Sequence, residues 1–390
     1  MRVTHVITRL IVGGAQENTI ASVLGLDGRA GVEARLISGL SSGPEGSLES
    51  AFVNHPGLLT IIPELVRPIH PWEDYAAFRR LVAIFREQKP DIVHTHSGKA
   101  GVLGRLAAAR AGVPVIVHTI HGPSFGSFQS GAANLLFRSA ERRAGAVTSH
   151  FVTVADAMRD QYLAAGIGRP QDYTRIFSGF PLEPFLRATN DQNLRARWGI
   201  GADDTVIGKI ARLFKLKGHE DLFAVAPALL RKFPHIKFLL VGDGPWRSRF
   251  EGMAREMGLG DRFIFTGLVP PADIPRMAGI MDALVHLSRR EGLPRALPQA
   301  MAAGKPVVAY DCDGAREVCL DGDTGLLLHP GDTAALGASL DRLAGDAALR
   351  QRLGERGREF VRERFPVERM VDDLYALYMK LADQRAGSAA

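Results

Sequence analysis

The chain has 390 residues, of which 46% are hydrophobic and 23% charged, with a formal net charge of +6 and a pI near 9.5. That length exceeds one ordinary hydrophobic core and points to two domains. The positive excess is three residues within 1–186 and three in the remainder, so there is no basic arm and nucleic-acid binding is not expected. Anionic phosphates or a lipid headgroup suit such a surface better.

The only cysteines are Cys312 and Cys319. They exclude a disulfide framework and, lacking a Cys/His cluster around them, do not read as a zinc site. A reduced, cytoplasmic setting is the expectation. The first residues enter a strand-like alternation with no secretory apolar region. No run of 18 apolar residues occurs, so any membrane contact is expected to be peripheral, at the inner face of the plasma membrane.

In chain order, residues 4–8, 33–37, 92–94, 115–119 and 151–154 read as strands, with helices at 16–24, 75–88, 101–111 and 155–165. Several strands are apolar on both faces, as a parallel sheet covered by helices requires. Around 187–204 the sequence turns polar and strand-poor, which reads as a linker. The alternation then restarts, with strands at 206–211, 237–241, 263–266, 283–287, 307–310 and 325–328. Helices are expected at 219–232, 246–257, 272–281, 297–303 and 333–344, and a last amphipathic helix at 366–382. The expected fold is α/β: two Rossmann-like domains, 1–186 and 205–365, whose parallel sheets face across a cleft and bind ligand at the strands' carboxyl ends.

Chemistry concentrates at the ends of these strands. Arg212 and Lys217 stand in a loop between a strand and the helix opened by Gly218, where a guanidinium fork and a point charge can meet a diphosphate; a solvated basic loop is the plain alternative. Gly242-Asp243-Gly244-Pro245 ends the next strand without the third glycine of a dinucleotide fingerprint, so NAD is not expected. Main-chain groups of Leu268 and Val269 are placed to read a nucleobase edge. Gly13-Gly14 precedes a helix N-terminus, where free amides attract phosphate. His94, His96, His118 and His121 flank two neighbouring strands. Imidazole ligates zinc, but no carboxylate or cysteine is close in sequence and no metal is expected. His94 and His118 read as strand histidines with satisfied nitrogens; His121, before Gly122-Pro123, points toward ligand. Lys99, in a glycine-bearing loop, is a candidate anion contact on the acceptor side. The run Glu291-Gly292-Leu293-Pro294-Arg295-Ala296-Leu297-Pro298-Gln299 joins an acid, a turn and a short helix, with Gln299 expected about two helical turns beyond Glu291.

Taken in order, these segments resemble the retaining family-4 glycosyltransferases of the GT-B fold. The resemblance runs through the Gly-Gly loop, Thr119-Ile120-His121-Gly122, Ser178-Gly179-Phe180, Arg212 to Gly218, Val241 to Pro245, the Glu291 run and Gly314-Ala315-Arg316-Glu317-Val318. One position departs from the family pattern: the second acid of its pair is Gln299 here.

The resemblance implies an acceptor-binding first domain, joined by the helix of 366–390, and a donor-binding second domain. It implies transfer of a sugar, with retention, from a nucleoside-diphosphate sugar, most simply a UDP-sugar, to a glycan or lipid-linked hydroxyl. Arg212 and Lys217 would hold the diphosphate and balance leaving-group charge, with no metal or other cofactor. Glu291 would contact sugar hydroxyls, Gly292 and Leu293 would offer amides, and Gln299 would bind the ribose. Gly242 would line the donor site, Gly14 would approach the diphosphate, and His121 would contact the transferred sugar. A neutral amide forms weaker hydrogen bonds than a carboxylate, ~0.5–1.5 against ~1.5–3 kcal/mol, so weaker ribose binding is expected at Gln299. Acceptor choice is expected in loops 41–50 and 123–131. The helical segments 72–89 and 134–143 mix apolar and basic residues and are candidate lipid contacts. A nucleotide-sugar epimerase or phosphorylase, or a non-catalytic nucleotide-sugar binder, stays open at this stage.

Overall fold

The structure, a computed structural model, describes residues 1–41, 46–126 and 128–389. Positions 42–45 and 127, which belong to the two expected acceptor loops, lie outside the described residues. The chain divides into two compact units, Met1–Phe180 with Val367–Ala390, and Pro181–Pro366.

The first unit runs β1 (Arg2–Ile7), α1 (Gly14–Asp27), β2 (Glu33–Ser38), β3 (Leu59–Ile61), α2 (Pro71–Gln88), β4 (Ile92–His96) and α3 (Gly98–Ala111). It continues through β5 (Val115–Ile120), α4 (Gly131–Gly145), β6 (His150–Thr153), α5 (Asp156–Ala164) and β7 (Tyr173–Arg175). The strands pair in parallel in the order β3-β2-β1-β4-β5-β6-β7. Every residue of β4 and β5 is buried, which is why these runs show no polar alternation in sequence. The short edge strands β3 and β7 escaped the sequence reading because three residues carry no period.

The second unit opens with two short helices, α6 (Glu183–Leu186) and α7 (Gln192–Arg197). It then follows β8 (Thr205–Ile210), α8 (His219–Lys232), β9 (Ile236–Val241), α9 (Arg247–Glu256), β10 (Phe263–Phe265) and α10 (Ile274–Gly279). The remainder is β11 (Ala283–His286), α11 (Ala296–Ala302), β12 (Val307–Tyr310), β13 (Gly325–Leu328), α12 (Thr333–Gly345) and α13 (Ala347–Arg364). Its sheet is again parallel, in the order β10-β9-β8-β11-β12-β13. In both sheets the order reverses beside the first strand, between β1 and β4 and between β8 and β11. Those are the points where side chains at strand ends meet in a crevice.

Two expectations change. Residues 187–204 are not a bare linker: α7 is capped by the Asp191 carboxylate, which accepts from Asn193 N and Leu194 N at 3.0 and 3.1 Å. Arg195 is buried, and its guanidinium donates to the carbonyls of Gly201 and Asp204. The segment therefore belongs to the second unit, which begins at Pro181 rather than at 205, while the first unit's opening stretch ends at Phe180 rather than at 186. The helix α13 departs from expectation because two glycines in its middle, Gly354 and Gly357, argue against a helix interior. Those glycines serve packing: a Cβ on Gly354 would lie 2.1 Å from the Gly304 carbonyl oxygen, so only glycine lets α13 approach α11's end.

The final helix, α14 (Val367–Ala389), packs on the first unit. Met370, Val371, Leu374, Leu377, Tyr378 and Leu381 form its buried stripe, spaced at helical periodicity against β1, β5 and α1. Each fully buried side chain of this kind contributes roughly 1.5–3 kcal/mol.

Candidate functional site

In the second unit, the loop after β8 and the end of β11 bring two side chains to one carboxylate in the loop that follows β11. Lys217 Nζ lies 2.5 Å from Glu291 Oε1, and His286 Nε2 lies 3.2 Å from the same oxygen, off the line of a good hydrogen bond. Burial pushes the Glu291 carboxyl up, but the Lys217 ammonium and the His286 ring outweigh it and hold the group well below the usual carboxylate range. The main chain sets the geometry. Glu291 N donates to Asp313 Oδ2 at 2.7 Å, and Gly314 N donates to Gly292 O at 3.0 Å. Asp313 has φ of 50°, a left-handed conformation that Asp tolerates better than most residues. Across the crevice, Arg289 N donates to Leu216 O at 2.9 Å, which ties the Lys217 loop to the Glu291 loop. Leu216 itself has φ of 71°, a strain of roughly 1–2 kcal/mol that the surrounding bonds offset.

Arg212 is exposed and stacks its guanidinium over the Phe214 ring at 5.4 Å, leaving the cationic edge toward solvent. Behind the pair sits Lys209 on β8, 1% exposed and with no hydrogen-bond partner. Burial, and then the Lys217 charge, push its ammonium down to about 7, against the pull of Glu291, Asp221 and Glu220. Sequence reading passed over Lys209 and His286, since burial does not show in a local pattern and the neighbours of Lys209 lie across the sheet.

The Glu291 run folds differently from expectation. Glu291 lies in the loop after β11, and the helix starts only at Ala296, so Gln299 is not two turns along the same helix. Gln299 is half-buried within α11. Gly242 has φ of 132°, and a Cβ there would lie 2.3 Å from the Ala211 carbonyl oxygen; close approach of two strand-end loops is reason enough for that glycine. Leu268 is exposed and Val269 half-buried just beyond β10.

In the first unit, Gly14 is exposed at the start of α1. Lys99 contacts the Asp74 carboxylate and donates to the Pro68 carbonyl, so its charge already ties α3 to α2. His121 follows β5 and its Nε2 lies 3.0 Å from His96 Nδ1. His118 faces the other side of the sheet, 2.9 Å from Thr95 Oγ1. His94 has both ring nitrogens engaged, with Tyr378 and Thr119. The residue that sequence reading missed is His5, whose Nδ1 lies 2.9 Å from His96 Nε2. Ligand atoms of His5, His94 and His96 lie within 4.8 Å of one another, but all six of their ring nitrogens already face His121, Tyr378, Thr119 or each other.

Residues 14–176 match the glycosyl transferase 4-like domain, and residues 190–360 match the family described as glycosyl transferases group 1. The putative glycosyltransferase EpsD of Bacillus subtilis (strain 168) is 30% identical over 333 residues, covering 82% of this chain and 85% of that protein. The chain belongs to the group 1 glycosyl transferases. This glycosyltransferase is also 27% identical over 324 residues to the UDP-Gal:alpha-D-GlcNAc-diphosphoundecaprenol alpha-1,3-galactosyltransferase of Escherichia coli, covering 82% of this chain and 83% of the relative. Its fold matches that of Anabaena HepE in complex with UDP-glucose, with a TM-score of 0.81 at 23% identity over 97% of this chain and 100% of the other. The glycosyltransferase family and the GT-B fold implied by the sequence motifs are thus those of the protein.

Proposed function

We propose that this glycosyltransferase takes its sugar from a UDP-sugar and passes it, with retention and without a divalent metal, to a hydroxyl of a glycan or lipid-linked acceptor in cell-surface polysaccharide or glycolipid synthesis. The observation that carries the reading is the Lys217–Glu291–His286 cluster at the β8/β11 crevice, with Arg212 exposed in the same loop as Lys217. An ionised Glu291 accepts hydrogen bonds from sugar hydroxyls, and Lys217, held at its edge, is within reach of the adjoining phosphate. Arg212 and Lys217 balance the charge that develops on the departing diphosphate, which is the task a metal would otherwise have. The departing phosphate oxygen then takes the acceptor's proton as attack occurs on the same face. Gly292 and Leu293 present amides to the sugar, Gln299 binds ribose, Gly242 lines the donor site, and Leu268 and Val269 read the base edge. In the first unit, which is assigned the acceptor, His121 contacts the transferred sugar, Gly14 approaches the diphosphate, and Lys99 meets an anionic acceptor group once released from Asp74. The E. coli relative, named for a UDP-galactose donor and a diphospholipid-linked acceptor, supports the substrate class.

Incubating the purified protein with UDP-, GDP- and ADP-sugars without acceptor tests this. Slow hydrolysis of a UDP-sugar that persists in EDTA and releases the sugar with its anomeric configuration retained is the expected outcome. Dependence on a divalent ion, inversion, or no turnover of any UDP-sugar would refute the corresponding part.

Peripheral contact with anionic lipid from the cytoplasmic side belongs to the same proposal. No helix among the described residues is long and apolar enough to cross a membrane. Along α2, Leu81, Val82 and Phe85 are buried in the core, but Trp72 and Tyr75 at its start are 81% and 58% exposed. On α4, Leu135 and Leu136 are 68% and 57% exposed, and Arg142 and Arg143 lie on the same helix. Co-sedimentation with phosphatidylglycerol vesicles, lost when Leu135 and Leu136 are changed to serine, is the expected result; equal binding by the variant would refute the surface.

A further inference from the structure

Lys209 is the odd cation in a group of charges at the carboxyl end of the second sheet. β8 pairs with β11 through Ile207 beside Ala283 and Gly208 beside Leu284, so Lys209 comes next to the end of β11, where the Glu291 loop departs. Alternation along the strand puts its side chain on the face of Ile207, which packs in one core cluster with Leu222 and Phe223 of α8. The side chain is buried, and its Nζ has no hydrogen-bond partner among the described residues.

Three carboxylates pull on that nitrogen, and each is held by another cation. Asp221 accepts from Arg289 at 2.9 and 3.0 Å and from the Tyr310 hydroxyl at 3.0 Å. Glu220 lies 3.7 Å from Arg249, and Glu291 lies 2.5 Å from Lys217. Two histidines are near enough to feel the Lys209 charge. His219, at the start of α8, is buried and stacks on Phe250 at 4.8 Å; burial, then the Lys209 and Lys217 charges, push it down to about 2. Burial also lowers His286 at the end of β11, against the pull of Glu291. Lys209 is left with the Lys217 charge against it and no acid of its own.

That balance depends on where Lys217 is. Its ammonium is one point charge, so a phosphate that draws it leaves Glu291 less well served. The repulsion on Lys209 then weakens, Glu291 loses its closest cation, and the phosphate adds negative charge. All three changes favour a proton on Lys209.

We propose that Lys209 is a positioning residue: it takes up a proton when the donor diphosphate draws Lys217 off Glu291, and its ammonium then keeps Glu291 ionised toward the sugar hydroxyls. This rests on the reading of Lys217 as a diphosphate contact. The proton comes from solvent and binds the free amine of Lys209, and no other bond is made or broken.

The test is calorimetric titration of UDP into the full chain at pH 8, where the phosphates of UDP carry no proton. Lys209 in the free protein, about one pH unit above its lowered value there, is about nine-tenths neutral. Repeating the titration in buffers of different ionisation enthalpy counts the protons taken up. About 0.5–0.9 proton per UDP bound is expected, with affinity falling about three- to eightfold between pH 7.5 and 8.5. Lys209→Met should bind UDP with no proton uptake and a nearly flat pH dependence. Glu291→Gln, which leaves no carboxylate to hold, should give roughly half the parent's count or less. Equal heats in every buffer with the unmutated protein would overturn the proposal whether or not the variants fold, and would leave the donor reading intact. Uptake that survives in Lys209→Met does the same, and an undiminished count in Glu291→Gln overturns the pairing with Glu291. No UDP binding by the unmutated protein is a separate failure, which overturns the donor reading and this proposal with it.

Discussion

Glu291→Gln changes one charge and almost no volume, so its consequences can be worked from the site. Lys217 loses the carboxylate 2.5 Å away, though the amide oxygen can still accept from it. The two side chains are 23% and 18% exposed, between a surface pair at ~0–1 kcal/mol and a broken buried pair at ~3–5 kcal/mol. A loss of about 2 kcal/mol is expected, lowering the melting temperature by roughly 4–8 °C for a unit of this size. The pH dependence follows from the depressed carboxyl. Its contribution is fully present above the unfolded-state value of about 4.3 and is lost as pH falls below it toward the folded value. The stability gap between parent and variant is therefore constant near neutrality and narrows below about pH 4.3. In turnover, exchanging charge-assisted for neutral hydrogen bonds to the sugar costs about 1–1.5 kcal/mol, or roughly five- to tenfold in kcat/KM. Calorimetry across pH and a nucleotide-release assay measure the two effects. Unchanged kcat/KM would remove Glu291 from the sugar site, and a stability gap that persists undiminished well below pH 4 would refute the ion-pair argument.

Arg212→Ala is expected to lower kcat by at least tenfold with an unchanged melting temperature, because the side chain is exposed; equal kinetics would remove it from the leaving-group site. Calorimetric titration with UDP should show weaker binding for Gln299→Ala by up to about tenfold and tighter binding for Gln299→Glu. No loss in the alanine variant would end the ribose role. Lys209→Met replaces a buried, unpartnered ammonium by an apolar chain and should stabilise the protein by about 1–4 kcal/mol at pH 7. The unfolded state binds more protons at this lysine between its lowered value of about 7 and the ordinary 10.5. Parent stability should therefore rise across that window relative to the methionine variant, and denaturant melts at pH 7 and 9 with the same gap at both would refute the buried-charge argument.

The loop positions of Arg212, Lys217, Glu291 and His121 were legible because each loop follows a short apolar run, and ligands of parallel sheets bind at such strand ends. The reading of Gln299 as two turns beyond Glu291 failed because a turn of several residues intervenes before α11 begins. The linker at 187–204 failed for a related reason: a polar segment can still be structured when its carboxylates cap a helix and its arginine is buried against carbonyls.

The sequence by itself determined the α/β class, the two successive parallel sheets, the family, and the strand-end loops that carry the candidate site residues. These follow from local period and short motifs, which act over a few residues. Only the tertiary structure decided what surrounds those side chains. His5 meets His96 across 91 positions, and Tyr378 meets His94 across 284, because sheet register and the docking of α14 place them. Lys209 became an unpartnered buried cation near Lys217 and Glu291 through the pairing of β8 with β11 in the second sheet. Burial and long-range pairing set protonation, and neither is a property of any short stretch of chain.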